Sequence, residues 1–136
     1  MTISYDSKAL KSNGEVWSWG YNLYGQLGDQ TTADKSSPIL VVGLHVFIQI
    51  SCGYIHTSAL KSNGEVWSWG YNFRGSLGDQ TRADKSSPVL VVGNHSFIQI
   101  RAGSGHTLAL KSNGEVWSWG YNSYGQLGDQ TIADKS

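Results

Sequence analysis

Two histidines beside threonines are the side chains of this sequence best suited to acid–base chemistry. His56 precedes Thr57 and His106 precedes Thr107, and imidazole is the side chain that most easily titrates near neutral pH. A catalytic triad also needs an acid and a nucleophile at a fixed offset from the histidine, and neither recurs here. We therefore predict no catalytic residues, and two structural histidines that form hydrogen bonds within their own structural unit.

No group of side chains in the sequence has the spacing of a metal or nucleotide site. Asp29 and Asp34 lie five residues apart in an acidic loop, which lacks the dense oxygen ligands of a calcium loop. Cys52 is the single cysteine, so no Cys-x-x-Cys pair exists for zinc. The glycines within residues 20–28 are not followed by the Lys-Ser or Lys-Thr of a phosphate-binding loop. The sequence predicts no metal site and no cofactor.

The charge balance favours neither nucleic acids nor membranes as partners. Ten basic residues match ten acidic residues, so no net field steers the chain toward phosphate backbones or anionic lipids. No stretch approaches the roughly 18 apolar residues of a membrane-spanning helix, and the N-terminal segment has no apolar signal-peptide core. We expect no membrane contact, no direct nucleic-acid contact and, for a complete chain, a cytoplasmic location.

A repeat that fills the sequence must position these side chains. The string Lys-Ser-Asn-Gly-Glu-Val-Trp-Ser-Trp-Gly-Tyr-Asn begins at residues 11, 61 and 111, and only seven of forty positions differ between residues 11–50 and 61–100. Such self-similarity at a fixed period is typical of repeat architectures. We divide the chain into a degenerate first unit (1–50), a complete unit (51–100) and a third unit that ends before its last strand (101–136), which together form one domain.

Each unit has the pattern of four β-strands. Directly before and within the complete repeat these are 47–50, 56–61, the Val-Trp-Ser-Trp run, and 88–92, and each has copies 50 residues away. The Asn-Gly dipeptide before the Val-Trp-Ser-Trp run is typical of a two-residue hairpin turn with positive φ at both positions. The proline that opens the last strand suits an outer strand, where a missing N–H group is tolerated.

These patterns predict an all-β fold made of β-propeller blades, each with four antiparallel strands. A helical solenoid is excluded because no window carries apolar residues at i, i+3, i+4 and i+7; a β-helix or β-prism is the alternative β architecture. The 136 residues hold about 2.7 units of 50, fewer than a ring needs. Because open sheet edges and exposed tryptophans invite pairing, we expect self-association into a multi-chain ring, or a longer array.

The repeat resembles that of the regulator-of-chromosome-condensation family. The pattern G-x-x-H-T followed by A-L-K-S-N-G-E-V-W-S-W-G-x-N-x-x-G-x-L-G-D spans essentially the whole chain. The resemblance implies a propeller, usually seven-bladed, and leaves function open, because members include exchange factors for a small nuclear GTPase, a plant UV-B photoreceptor and a bacterial β-lactamase inhibitor. The photoreceptor's G-W-R-H-T is replaced here by residues 53–57 and 103–107, which lack its Trp and Arg.

Six tryptophans alternate with small residues along the third strand of each unit. Alternation with a period of two places both indoles of a unit on one face of the strand, where we predict packing between neighbouring blades. The predicted structural core consists of Trp17, Trp19, Trp67, Trp69, Trp117 and Trp119, with His56 and His106.

The positions where the near-identical copies disagree cluster after the third strand. Loops on a rigid scaffold are where binding residues concentrate, so we predict a partner-binding surface there; neutral drift at exposed positions is the alternative. Its residues are Leu23, Tyr24, Gln26, Phe73, Arg74, Ser76, Arg82, Ser123, Tyr124 and Gln126. The predicted function is a non-enzymatic protein-interaction scaffold with an unidentified protein partner. The alternative is guanine-nucleotide exchange on a small GTPase, or other regulation of one.

Overall fold

The computed structural model describes residues 5–136 and contains ten β-strands. Residues 5–136 contain no α-helix, so no helix among them is long and apolar enough to cross a membrane. The strands are β1 (Asp6–Leu10), β2 (Val16–Gly20), β3 (Lys35–Leu40), β4 (Gln49–Cys52), β5 (His56–Leu60), β6 (Val66–Gly70), β7 (Lys85–Leu90), β8 (Phe97–Ala102), β9 (His106–Lys111) and β10 (Val116–Gly120).

The strands form three antiparallel sheets that follow one another along the chain. The first sheet has the order β1-β2-β3, the second β4-β5-β6-β7 and the third β8-β9-β10. A bridge between Gly120 and Lys135 begins a fourth strand in the third sheet. The all-β fold and the four-stranded antiparallel blade predicted from the sequence are confirmed, and three successive blades make a partial propeller.

Each sheet has two chemically different faces, because side chains alternate along every strand. In the second sheet Thr57 pairs with Trp69 and Ala59 with Trp67, so these side chains share one face. We call this the front face; it consists of positions 7, 9, 17 and 19 of the first sheet and their counterparts 50 and 100 residues later. The back face carries positions 8, 10, 16 and 18 and their counterparts.

The core lies between the sheets, where the back face of one packs on the front face of the next. One apolar cluster joins Val16, Val41 and Phe47 to Ala59 and Trp69. The next cluster repeats this arrangement between the second and third sheets with Leu60, Val66, Val91, Phe97, Ile100, Ala109 and Trp119. Full burial of one such large side chain contributes roughly 2 to 3 kcal/mol, so contact between sheets stabilises an array of small sheets.

The hairpins differ from the predicted two-residue turns. Gly14 N–H donates to the Lys11 carbonyl and Lys11 N–H donates to the Glu15 carbonyl, both at 2.9 Å. Gly14 has a φ of 87°, whereas Asn13 is not in the left-handed region. The loop is therefore a turn closed by a left-handed glycine, the three-residue type of hairpin. The Asn13 side chain accepts a hydrogen bond from the Glu15 amide, which holds it in this turn.

The strand bounds also differ from the prediction by two or three residues. The first strand of the second sheet is Gln49–Cys52 rather than 47–50, and its fourth strand is Lys85–Leu90 rather than 88–92. Pro88 lies where the β6–β7 register shifts, so its missing N–H group is tolerated there. Because β4 pairs with β5, the strand that ends each repeat unit belongs to the sheet of the next unit.

Candidate functional site

One buried asparagine organises each loop after the third strand. We call residues 21–34, 71–84 and 121–134 the tip loops. In the first, Asn22 Nδ2 donates to Asp29 Oδ1 at 3.1 Å and to the Thr31 and Ala33 carbonyls at 3.0 Å, while its Oδ1 accepts from Leu27 N–H at 2.9 Å. The other two tip loops repeat this network around their own buried asparagines. The tip loops are therefore rigid frames rather than loose connections.

The acidic groups of the tip loops are occupied by internal contacts. Asp29 accepts hydrogen bonds from Thr31 and Asn22 and lies 3.3 Å from the Lys35 ammonium. Burial alone would raise the pKa of Asp29, but the hydrogen bonds from Thr31 and Asn22 and the pairing with Lys35 hold it below its ordinary value. Asp29 is therefore an ionised structural acceptor of its own loop.

Aromatic side chains form a continuous row across the three tip loops. Their ring centroids lie 4.8 to 6.4 Å apart, mostly edge to face, the arrangement that aromatic pairs prefer. The Arg74 guanidinium lies 5.2 Å from the Phe73 ring and 5.1 Å from the Tyr121 ring, which joins the second tip loop to the third. The aromatic row consists of Tyr5, Tyr21, Tyr24, Tyr71, Phe73, Tyr121 and Tyr124.

Five of the predicted partner-binding residues are exposed at the ends of the tip loops. Leu23, Phe73 and Ser123 occupy equivalent positions and are exposed, as are Arg74 and Tyr124. Tyr124 is 87% exposed. The structure brings all five to one end of the three sheets.

Tyr24 is half-buried rather than exposed, because its ring packs on Tyr71 of the next tip loop with the ring centroids 4.8 Å apart. Arg74, at the equivalent position of the second loop, contacts Tyr121 of the third in the same way. This position therefore links neighbouring blades as well as facing solvent.

Gln26 and Ser76 are buried, in contrast to the prediction that they belong to an exposed tip. The backbone carbonyl of Gln26 accepts a hydrogen bond from the Trp69 indole, and the backbone carbonyl of Ser76 accepts one from the Trp119 indole, both at 3.0 Å. The position lies under the next sheet because its carbonyl is the acceptor for that sheet's indole. Gln126, the third copy, is half-buried.

Arg82, the sixth exposed residue of the predicted set, contacts the next blade. Its guanidinium donates to the Phe73 carbonyl and to the Asp134 carbonyl, both at 3.3 Å. Arg74 Nη1 lies 3.2 Å from Asp134 Oδ2. Both arginines therefore contact an aspartate of the third tip loop while part of each guanidinium remains accessible, and exposed pairs of this kind contribute about 1 kcal/mol or less.

Shallow clefts open beside the aromatic row where neighbouring blades meet. The cleft between the second and third blades has a volume of about 220 Å³ and includes Tyr54, Ile55 and Ser104 among its lining residues. The turns 53–55 and 103–105 thus lie on the same surface as the tip loops. The predicted partner-binding surface did not include these turns or the tyrosine that every copy retains after Trp-Gly. Two signals were available: the copies differ at 54 and 55, and an aromatic residue is kept in a polar loop.

The six tryptophans differ in burial, although all belong to copies of one strand. Trp69 and Trp119 are buried between sheets as predicted. Trp67 is half-buried, with its ring under the Lys61 ammonium at 4.7 Å and beside His45 at 4.4 Å. Trp17 and Trp19 are also half-buried, because no sheet formed by residues 5–136 covers the front face of the first blade.

Trp117 departs from the core prediction, since 42% of it is exposed. Trp67 has Leu90 beside it on the neighbouring strand. The third sheet offers no such neighbour within residues 5–136, so the indole lies at an open rim.

His56 is buried and hydrogen-bonds to the next blade rather than within its own unit. Its Nε2 lies 3.1 Å from Thr107 Oγ1, and the Thr107 hydroxyl donates to the Ser76 carbonyl. Burial, together with the charges of Lys8 and His106, lowers the pKa of His56 to about 3. His106 is half-buried, and burial lowers its pKa as well. His56 is therefore a neutral link between two blades.

A buried ion pair lies close to His56 in the first blade. Asp6 and Lys8 pair with each other, and each side chain is only 2% exposed. Burial lowers the pKa of Lys8 to about 8. This pair could not be predicted from the sequence, because an Asp-Ser-Lys segment carries no signal for burial.

The repeats of this chain match those of known proteins. The model of the regulator of chromosome condensation (RCC1) repeat matches residues 13–60 and 63–110, and a second RCC1 repeat model matches residues 47–76 and 97–126. The ultraviolet-B receptor UVR8 of Arabidopsis thaliana is 39% identical over 51 residues, which is 36% of this chain and 12% of the receptor. The human E3 ubiquitin-protein ligase HERC2 is 44% identical over 52 residues, 37% of this chain and 1% of the ligase.

Two solved structures share the fold over nearly the whole chain. Human WBSCR16 superposes with a TM-score of 0.83 and 28% identity, covering 96% of this chain and 35% of that one. Prp20p of Saccharomyces cerevisiae superposes with a TM-score of 0.85 and 22% identity, covering 97% and 35%. The chain thus spans about a third of either structure and 12% or less of the two sequence relatives. Because the family model matches residues 13–60 and 63–110, more than half of the chain, the chain belongs to the regulator of chromosome condensation (RCC1) repeat family.

Proposed function

We propose that this protein is a non-enzymatic interaction scaffold whose tip-loop surface binds a protein partner. The observation that carries the proposal is the continuous aromatic row, which joins three tip loops and the clefts between them into one surface. Tyrosine and arginine are enriched among the few residues that supply most interface energy. Equivalent loops of successive blades lie on one side of the array, so a single partner can contact all three.

The proposal of a protein ligand is supported by what is known of a structural relative. Prp20p has been described with its binding to Gsp1p and histones, and yeast RCC1 (Prp20) has been solved bound to Kap60. These partners are proteins. A protein partner for the present chain is therefore in keeping with its fold.

The non-enzymatic part of the proposal rests on how the reactive side chains are used. His56 is buried and its Nε2 is engaged by Thr107, so it has no access to a substrate. Asp29 is held by its own loop. The side chains that remain exposed on the surface, such as Leu23 and Phe73, supply contact area rather than acid–base chemistry.

Binding should depend on the exposed ends of the tip loops. The variant Leu23→Ser with Phe73→Ser places at both positions the residue that the third copy carries as Ser123, so the loop tolerates it. The matched control is Leu44→Asn with Val46→Ser, which copies Asn94 and Ser96 of the next repeat. Leu44 and Val46 are also exposed, but they lie at the hairpin end of the strands.

The measurement is affinity capture of partner proteins from the native source with the parent, tip and control proteins. We expect the parent and control to retain the same partners. The tip variant should bind at least about 30-fold more weakly, because one interface anchor contributes about 2 kcal/mol. Melting of all three should agree within about 0.5 kcal/mol. Equal capture by the tip variant would assign the sequence differences in these loops to drift.

Regulation of a small GTPase is the second candidate function. The resemblance to exchange factors favours it. The discriminating measurement is the rate of nucleotide release from small GTPases with and without the protein. Acceleration that the Leu23→Ser, Phe73→Ser variant loses would favour exchange over a passive scaffold, and an unchanged rate would favour the scaffold.

We also propose that copies of the chain associate with one another. The three blades match about a third of the related structures, and no other sheet of residues 5–136 covers the outer faces of the first and third sheets. Apolar faces of this kind are where chains associate.

A further inference from the structure

The back faces of the three sheets have the same sequence but different surroundings. Val16 and Val66 are each 2% exposed, whereas Val116 is 64% exposed. All three follow the same Lys-Ser-Asn-Gly-Glu segment. Val16 and Val66 are covered by the next sheet and by the segments that carry Val41 and Val91, whereas the described residues leave the back face of the third sheet open.

The exposure of the front faces changes in the opposite direction: the first is open, and the second and third are covered. Ala59 is fully buried and Ala109 is 2% exposed, whereas Ala9 and Ser7 of the first sheet are exposed. The front face of the first sheet differs from that of the third only by Ser7 in place of Thr107. It keeps the hydroxyl, the alanine and both indoles of the faces that pack inside the molecule.

One hydrogen bond that links neighbouring blades is also left incomplete at the two ends. Trp69 and Trp119 donate to the carbonyls of Gln26 and Ser76 in the preceding blade. Among the described residues the Trp19 indole N–H has no such acceptor. Gln126 carries the equivalent carbonyl on the third blade, where no indole reaches it.

The open back face also keeps the recess that receives an indole. A Cβ atom added at Gly28 would lie 2.9 Å from the Trp69 indole nitrogen, and one at Gly78 would lie 2.8 Å from that of Trp119. A Cβ atom at Gly128 would meet nothing within 4 Å. The third blade therefore carries the same glycine with the same positive φ and open space beside it, and among the described residues no counterpart of Val41 borders that space.

We propose that the back face of the third sheet binds the front face of the first sheet of a second copy, in the register of the internal contacts. Trp19 of one copy occupies the recess at Gly128 of the other and donates to the Gln126 carbonyl. Tyr124 packs on Tyr21, as Tyr24 packs on Tyr71. The contact is heterologous: each copy uses one face to bind and presents the other.

The two open faces of one molecule cannot satisfy each other. Three blades fill about a third of the related propellers, so the outer faces of a single chain lie at opposite ends of an arc. Residues 5–136 also bring no counterpart of Phe47 in front of the first sheet. The contact between copies is therefore smaller than the internal ones, and association depends on concentration.

The test uses two arginine substitutions at positions that are exposed in the single chain. Ser7→Arg blocks the front face and Val116→Arg blocks the back face; neither side chain is packed, so folding is maintained. In sedimentation velocity over a concentration series, the parent should associate and each variant should remain a monomer. An equimolar mixture of the two should form a one-to-one dimer, since one retains an open back face and the other an open front face.

The controls separate this proposal from the interaction surface. The Leu23→Ser, Phe73→Ser variant should associate like the parent, because these side chains lie outside the contact between copies. Circular dichroism and thermal melting establish that each variant is folded. The proposal is overturned by a parent that stays monomeric at every concentration, by a variant that still self-associates, or by a mixture that forms no dimer.

Discussion

At the scale of single residues, tryptophans of the same repeated strand have different energetic roles. Trp69 is fully buried between two sheets and donates its indole N–H to Gln26, whereas Trp117 is 42% exposed at an open rim. Trp69 is the second tryptophan of the Val-Trp-Ser-Trp strand in its unit, and Trp117 is the first in the next unit. Their contribution to stability is decided by position relative to the next sheet.

Replacing the buried indole should therefore destabilise the protein far more than replacing the exposed one. We expect Trp69→Ala to lower the free energy of unfolding by about 3 to 5 kcal/mol. Trp117→Ala should lower it by less than about 1 kcal/mol. Urea unfolding followed by circular dichroism measures both. Equal losses would mean that the blades do not pack as described.

His56 should make stability fall as the pH is lowered below neutrality. Its pKa is about 3 in the folded chain against an ordinary 6.5, so the unfolded chain binds the proton first. Stability is fully present above about pH 6.5 and is lost as the pH falls toward the folded pKa. Between pH 6.5 and about pH 5 the expected loss from this group is about 2 kcal/mol, at 1.36 kcal/mol per unit.

The control for this pH dependence is another histidine. His56→Gln keeps a donor for Thr107 and removes the titration, so the slope of stability against pH should flatten. His95→Gln should change the slope less, because burial lowers the pKa of His95 as well but His95 is only half-buried, whereas His56 is buried. Lys8 and His106 are the other charged groups that act on His56, and Lys8 remains protonated throughout this window. An unchanged slope in His56→Gln would refute the assignment.

At the scale of elements, each tip loop serves two neighbours at once. Its outer end faces solvent, while its inner end supplies the carbonyl and the glycine recess that receive the next blade's indole. The internal asparagine network holds both ends in place. A change on the outer end should therefore affect binding, and a change on the inner end should affect stability.

Alanine substitutions at two equivalent glycines distinguish the cost of lost packing between blades from the cost of backbone strain. Gly28 and Gly128 both have positive φ, 72° and 69°, so alanine at either position carries a similar backbone penalty of about 1 kcal/mol. Gly28→Ala also forces a Cβ atom against the Trp69 indole, and overpacking of this kind costs about 1 to 3 kcal/mol more. Thermal or urea unfolding gives both values. Gly128→Ala should instead weaken association between copies, and equal destabilisation by the two changes would contradict the packing.

At the scale of the whole molecule, the three blades form a linear array in which each contacts only its neighbours. The stability of such arrays is approximately a sum of unit and interface terms. The second sheet is covered on both faces, and the first and third are covered on one. Stability should therefore be highest in the middle.

Amide hydrogen exchange should reveal this gradient. We expect the slowest exchange in β5 and β6 and faster exchange in β1 and β10, because regions with fewer buried contacts open at lower free energy. Exchange measured by mass spectrometry at low and high protein concentration adds a second outcome: β1 and β10 should gain protection as copies associate. Uniform protection across the three sheets would show that the array unfolds as one unit.

The sequence by itself determined the strands, the faces and the place of the variable surface. A 50-residue period, the alternation in Val-Trp-Ser-Trp and the turn glycines are local properties, and local backbone preferences and side-chain alternation act the same way in each copy. The differences between copies likewise located the tip loops. These features need no knowledge of the neighbouring sheet.

Only the tertiary structure decided which of these residues are buried and what they contact. His56 bonds to Thr107, 51 residues away, and Gln26 and Ser76 lie under indoles rather than at an exposed tip. Val66 and Val116 have the same neighbours in the Glu-Val-Trp-Ser-Trp segment and opposite exposure. The physical reason is that burial is a property of two packed faces, and a sequence repeat describes each face without saying whether another sheet covers it.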